Sequence, residues 1–389
     1  MRTIIFGTYD TAMHPRIATI AEGLAARGFD VTECNIPLGL TTADRVEMLA
    51  KPWKAVGLVT RLASRWAGLA ARARRLGRPD VVVVGYLGHF DVLLARLLYR
   101  RGSVPIVLDH LISAANTAKD RRLDGGLKTR VLRLIDAAAL RAADIVVVDT
   151  DEHLEIVPEK YRSKAVVVAV GAPAPWYRAA EASAAGDPAA GDTAAREPSA
   201  DPGQPLKVVF YGLYTPLQGT PVIGEALGRI AGAPVEVTMI GRGQDEAATK
   251  AAAAANKSVR WLDWVPAAEL PALVAAHDVC LGIFGTGDKA LRVVPNKVFQ
   301  GAAAGCAVIT SDTAPQRRVL ATVSQESGAV LVPPGDPVAL ADALLRLAGD
   351  RDEVLKLRHA ARQLAAEQFT PEQVVGPLTD RLLPPHSRA

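Results

Sequence analysis

Short apolar runs alternate with longer mixed stretches along most of the chain. Thr3–Gly7, Asp30–Asn35, Asp80–Gly85, Pro105–Asp109, Asp144–Asp149 and Ala165–Val170 read as strands. Between them Ala18–Arg27, Asp91–Arg100 and Leu127–Arg141 read as helices. The run Asp-Val-Val-Val-Val-Gly at 80–85 shows no polar alternation, so both of its faces must be covered. Continuous Val/Ile runs separated by helices predict a parallel sheet in a doubly wound α/β domain.

Residues 179–205 break this pattern. They are rich in Ala, Gly, Pro, Asp and Ser with no apolar period, and predict a linker or disordered loop. The alternation then restarts. Lys207–Tyr211, Val235–Ile240, Val259–Leu262, Val279–Phe284, Ala307–Thr310 and Val330–Val332 read as strands. Pro221–Ile230, Ala268–Ala276, Lys297–Ala304, Val338–Ala348 and Glu353–Gln368 read as helices. The expected organisation is two Rossmann-like domains, 1–178 and 206–370, joined by 179–205. A C-terminal segment, 371–389, would pack back on the first domain.

At 389 residues the chain suits two cores, and 49% hydrophobic with 22% charged residues is an ordinary globular composition. Cys34, Cys280 and Cys306 are far apart and show no metal-ligand spacing, which fits a reduced, cytoplasmic protein. No apolar stretch is long enough to span a membrane. The net charge of +4 is local in origin. Between Glu47 and Asp80 there is no acidic residue, but Lys51, Lys54, Arg61, Arg65, Arg72, Arg74, Arg75 and Arg78 are present. On a helix, Arg61, Arg65, Arg72 and Arg75 fall within roughly 80° of one another. Leu58, Leu62, Trp66, Leu69 and Leu76 fill the neighbouring arc. Such a helix either lies on an anionic membrane surface or packs its apolar arc on its own domain.

The ends of the second-half strands carry the candidate chemistry, because open α/β sheets bind ligands at their carboxyl edges. Lys207–Tyr211 runs into a loop bounded by Gly212 and Gly219, with a helix following; its amides would suit a phosphate. Val235–Ile240 ends in Gly241-Arg242-Gly243, where Arg242 is either a phosphate or base ligand or a solvent arginine. Phe284-Gly285-Thr286-Gly287-Asp288-Lys289 leads through Arg292 to Pro295, Asn296 and Lys297 at a helix start. A lysine there opposes the helix dipole, a conflict that a bound diphosphate would resolve. Lys297 is therefore either a phosphate ligand or a solvent-exposed lysine.

Taken in order, these segments resemble the C-terminal domain of glycosyltransferase family 4. The resemblance covers Gly212 to Gly219, Ile240–Gly243, Trp264-Val265-Pro266 through Leu270, Ala276–Val279, Gln300–Thr310 and Val332–Asp336. The first half matches more loosely at Gly7, His14-Pro15-Arg16, Arg27–Val31, Val107–His110 and Ala143-Asp144. The resemblance implies a GT-B fold, two Rossmann-like doubly wound domains facing across a cleft. It also implies a retaining, metal-independent transfer from a nucleoside-diphosphate sugar to a hydroxyl acceptor, with no further cofactor. The donor would bind the second domain through Gly212, Gly219, Arg242, Val265, Lys289, Arg292, Asn296, Lys297 and Gln300. Asp109, His110 and His14 would be catalytic on the first domain, with Arg16 and His89 on the acceptor side. His14 and Arg16 suit helix-cap or surface roles equally. A polar loop holding Ser113, Asn116, Lys119, Asp120 and Arg121 would reach the acceptor.

The chain departs from the family pattern at four places. Leu213 and Gln218 stand where the family has Arg and Lys, and Arg292 and Gln300 stand where it has two glutamates. A catalytically silent GT-B partner is therefore a competing expectation. A sugar-nucleotide 2-epimerase would need more cleft carboxylates, and a dehydrogenase would need Gly-x-Gly-x-x-Gly after the first strand. No nucleic-acid partner is expected. The expected location is cytoplasmic, with peripheral contact at the inner membrane face if the basic helix engages anionic lipid.

Overall fold

The computed structural model describes residues 1–10, 15–39, 55–85, 88–110, 126–185, 204–321 and 328–383. The chain divides into two compact units: Met1–Ala169 with Val374–Ala389, and Val170–Gln373.

The first unit is built on β1 (Arg2–Gly7), β2 (Asp30–Asn35), β3 (Val81–Val84), β4 (Ile106–Asp109), β5 (Ile145–Val148) and β6 (Ala165–Val167), in the order β2-β1-β3-β4-β5-β6. Every pairing is parallel. The unbroken valines of β3 now have their reason. Val82 and Val84 enter one core with Ile106 and Leu108, while Val81 and Val83 enter the opposite core with Val107. A strand buried on both faces has no position for a polar residue.

The second unit repeats the plan with β7 (Leu206–Tyr211), β8 (Val235–Ile240), β9 (Val259–Leu262), β10 (Val279–Leu281), β11 (Ala307–Ser311) and β12 (Ala329–Val332). Their order is β12-β11-β10-β7-β8-β9, again all parallel. The helices Thr220–Arg229 and Pro337–Gly349 bury Ile223, Leu227, Leu340 and Leu344 against Val208, Phe210, Leu281 and Ile309. The expected helix 353–368 begins earlier, at Arg351, because Asp350 caps it by accepting from the Glu353 amide at 2.9 Å. It ends at Leu364 and gives way to a π-helical turn, Ala365–Phe369.

The structure corrects the expected linker at its start. Ala174–Ala185 is a helix of the second unit, so 179–185 are ordered and helical. Trp176, Ala180 and Ser183 are its buried positions, spaced i, i+4, i+7. The helix packs against Leu270–Ala275 and Asn296–Ala303. Alanine supplies helix propensity and a flat contact face without the apolar bulk that marks an ordinary amphipathic helix. Residues 186–203 lie outside the described residues. At the other end, Val374, Val375 and Leu378 join the first unit's core, and Arg381 Nη2 donates to the Ser163 carbonyl at 2.7 Å.

The basic helix is Ala55–Leu76. Leu69 and Ala73 are buried, and Trp66 and Leu76 pack on the same core. Trp66 Nε1 also donates to Asp91 Oδ1 at 2.9 Å. These apolar side chains are therefore used within the unit, while Arg61, Arg65, Arg72 and Arg75 are exposed. Lys51 and Lys54 lie outside the described residues. No helix among the described residues is long and apolar enough to cross a membrane.

Candidate functional site

In the second unit, three loops leave the carboxyl ends of β7, β8 and β10 and are tied together by backbone. Gly212 N donates to Ile240 O (3.0 Å), Tyr214 N to Arg242 O (2.9 Å) and Phe284 N to Gln218 O (3.0 Å). The contact is closest at two glycines. A Cβ at Gly241, where φ is +130°, would stand 1.9 Å from Gly212 O. One at Gly219, φ +64°, would stand 2.4 Å from the Phe284 carbonyl carbon. Both the left-handed backbone and the missing side chain are required there. Gly241→Ala is expected to lower stability by at least about 2 kcal/mol, since strain and clash coincide. Thermal unfolding of the purified variant measures this; a loss under about half a kilocalorie per mole would contradict the close approach.

Lys297 completes this corner. It sits in the first turn of Asn296–Ala303 but is only 4% exposed. Its ammonium donates to Gln218 Oε1 and lies 3.8 Å from the centre of the Phe210 ring. A Cβ on Gly212 would be 3.1 Å from Nζ. Burial pushes the ammonium down from about 10.5 to about 7, slightly opposed by Cys280. Of the two roles open to it, the solvent-exposed lysine is excluded. A buried cation in contact with a neutral amide and a ring face is under-compensated, and an incoming anion would improve its surroundings.

The other expected donor residues divide. Asn296, next to Lys297, is half-buried, as are Val265 in the loop after β9 and Lys289 in the loop after β10. Arg292 is exposed. Arg242 is exposed and paired with Asp263. Gln300 already has a partner. It is buried, and its Oε1 accepts from the Tyr211 hydroxyl at 2.9 Å. Tyr211 in turn stacks on Trp176, with ring centres 5.7 Å apart and 19° between planes. One lone pair of the Gln300 amide oxygen is thus engaged within the core.

In the first unit, the ends of β3, β4 and β5 gather the titratable groups. Arg16 and Asp109 form a buried ion pair, Nε to Oδ1 2.9 Å, and Arg16 Nη2 donates to Val168 O at 2.8 Å. Burial raises the Asp109 carboxyl and Arg16 counters it. Arg16 was expected on the acceptor side and Asp109 in catalysis. Both are almost wholly buried and paired through Nε and Oδ1, tying the helix Arg16–Ala26 to β4, while Arg16 Nη1 and Asp109 Oδ2 have no hydrogen-bond partner among the described residues. His110 is buried, its backbone amide donating to Val147 O at 2.8 Å. Its imidazole is pushed down to about 4, first by burial and then by His89, so it is neutral near pH 7. His89 Nε2 stands 3.2 Å from Asp136 Oδ1. His153 Nδ1 pairs with Asp149 one helical turn away. Asp136, Asp149 and His153 had no motif to announce them, although an aspartate directly after β5 with a histidine four residues on was a readable signal. His14, the 111–125 loop and Tyr86-Leu87 lie outside the described residues.

Comparison with known proteins places the second unit's sequence beside one family. Residues 205–350 match the family described as "Glycosyl transferases group 1". Phosphatidyl-myo-inositol mannosyltransferase of Mycobacterium leprae (strain TN) is 33% identical over 159 residues, 40% of each chain. The match thus spans less than half of that relative's length. Among solved structures, sucrose-phosphate synthase from Thermosynechococcus elongatus superposes with a TM-score of 0.67 at 15% identity, covering 98% of both chains. HepE from Anabaena, solved with UDP and glucose, gives 0.64 at 12% identity, covering 98% of this chain and 99% of the other. At such identities the likeness is one of fold. The chain therefore has the two-domain α/β architecture of the GT-B glycosyltransferases, and its second unit resembles the group 1 members in sequence.

Proposed function

We propose that this protein is a glycosyltransferase that moves a sugar from a nucleoside-diphosphate sugar to an acceptor hydroxyl with retention of configuration. The observation that carries this reading is the buried Lys297 ammonium at the Gly212 turn, enclosed by Gly-bounded loops at the carboxyl edge of β7, β8 and β10. An ammonium with loop and helix amides is the chemistry that stabilises a departing diphosphate. The acceptor oxygen bonds to the anomeric carbon as the bond from that carbon to the phosphate oxygen breaks. The acceptor proton passes to the leaving diphosphate, so no strong enzymic base is called for. Lys297 takes the charge-neutralising part that a metal takes elsewhere, so this step needs no metal.

A silent partner of the same fold is the second reading. Gln300 favours it, because its acceptor oxygen is engaged by Tyr211. Incubating the protein with a panel of nucleoside-diphosphate sugars and hydroxyl acceptors separates the two. Release of nucleoside diphosphate with an α-linked product from an α-linked donor supports the transferase; tight binding of the donor with no turnover on any acceptor supports the silent partner.

The proposal extends to a location, cytoplasmic and peripheral at an anionic membrane surface, which the exposed arginines support. Arg61 and Arg65 line a hollow with Leu38, Gly39, Thr60 and Ser64. Because these apolar contacts are spent internally, binding would be electrostatic, at about 1 kcal/mol per arginine. Replacing Arg61, Arg65 and Arg72 together with Ala is expected to weaken sedimentation with phosphatidylserine vesicles about 100-fold, and salt to do likewise. Salt-insensitive binding, or none, would contradict this.

A further inference from the structure

Three buried side chains of the first unit converge where neither the core nor the diphosphate site uses them. His89 stands between β3 and the helix Asp91–Leu98, His110 directly follows β4, and Asp136 projects from the helix Gly126–Ala142. Each is more than nine-tenths buried. One ligand-competent atom of each lies within 4.8 Å of the other two. The 3.2 Å approach of His89 Nε2 to Asp136 Oδ1 is not aligned as a hydrogen bond. His89 Nε2 and His110 Nδ1 are both buried without a hydrogen-bond partner among the described residues. The two rings meet edge to face, 5.2 Å between centres and 65° between planes.

Buried polar nitrogens without partners are rare, and each calls for a reason. A cation supplies one, accepting an imidazole lone pair from each histidine and an oxygen lone pair from Asp136. We propose that His89, His110 and Asp136 bind one divalent transition-metal ion of the zinc class. Two nitrogens and one oxygen suit borderline ions such as Zn²⁺ and Co²⁺ better than Mg²⁺ or Ca²⁺, which prefer oxygen alone. Ligand bonds near 2.0–2.2 Å place tetrahedral donors roughly 3.4 Å apart. His89 and Asp136 already stand near that spacing, so His110 has to draw in by about 1 Å or a little more, a movement that small side-chain rotations supply. Three protein ligands leave a fourth position open. The ion would fasten the ends of β3 and β4 to the helix Gly126–Ala142. This replaces the acceptor and catalytic roles expected of His89 and His110, and it departs from the expected absence of any metal. It does not rest on the transferase reading.

Full-length protein stripped with a chelator and titrated with Co²⁺ tests this directly. One equivalent is expected to bind with visible d–d absorption and to be displaced by Zn²⁺. His89→Ala and Asp136→Asn are expected to weaken binding at least tenfold, and His359→Ala, an exposed histidine elsewhere, to leave it unchanged. His110→Cys is expected to keep the ion and add a thiolate-to-cobalt charge-transfer band in the near ultraviolet. That band decides the matter even if the alanine variant fails to fold by circular dichroism. No saturable Co²⁺ binding, equal affinity in all variants, or a cobalt-loaded His110→Cys protein without the new band would overturn the proposal.

Discussion

A Lys297→Met variant is expected to unfold at higher temperature than the native protein while losing nucleotide-sugar binding by 100-fold or more. The two effects share one cause. Lys297 is buried and its ammonium is held down to about 7 from about 10.5 by desolvation. The unfolded chain therefore binds more protons than the folded one between those values, and stability rises with pH across that window. Below about 7 the folded protein carries the whole penalty of a charged, buried lysine. Methionine of similar length removes it, a gain of about 1–4 kcal/mol, less what the stranded Gln218 oxygen costs. The gain should be largest at pH 6 and shrink as pH approaches 10.

The same lysine makes donor binding depend on pH with the opposite sign. A bound diphosphate raises the ammonium's proton affinity, so binding takes up a proton above pH 7. Affinity should be flat below about 7 and fall up to tenfold per pH unit above it. Calorimetry in two buffers of different ionisation enthalpy reads the proton directly. A Lys297→Met protein that is less stable than the native one, or that binds donor equally well, would show that the ammonium is structural.

The second large effect lies in the first unit. Arg16→Met leaves the Asp109 carboxyl buried without its partner, and breaking such a pair costs about 3–5 kcal/mol. Asp109 is already raised by burial with Arg16 present, and without it the carboxyl rises further. A group whose folded pKa is raised contributes stability at low pH and loses it as pH climbs through that pKa. The variant's deficit in urea denaturation should therefore be smaller near pH 5 than near pH 8. Replacing Asp109 with Leu in the same chain should recover most of the loss. A deficit below 1 kcal/mol, unchanged by pH, would mean that the pair is not held in a dry site.

The strands were legible because burial on both faces writes itself into the sequence as unbroken Val/Ile runs; β3 and β4 needed no other clue. The glycines of the loops after β7 and β8 were legible too, since Gly219 and Gly241 take left-handed backbone. Contacts between distant segments were not. Lys297 meets Gln218 across 79 residues and Arg16 meets Asp109 across 93, and no periodicity records either. Gln300 aligned with a ligand position, but only the packed Tyr211 and Trp176 reveal that its oxygen is engaged. The helix Ala174–Ala185 was hidden by its own composition, because alanine packs without apolar bulk.

The donor site is tested most directly by titrating the purified protein calorimetrically with UDP, GDP and dTDP, alongside Lys297→Ala. One of the three nucleotides should bind the native protein with one-site stoichiometry, and that binding should be lost in the variant. Failure of all three to bind, or equal binding to both proteins, would contradict a diphosphate site at Lys297.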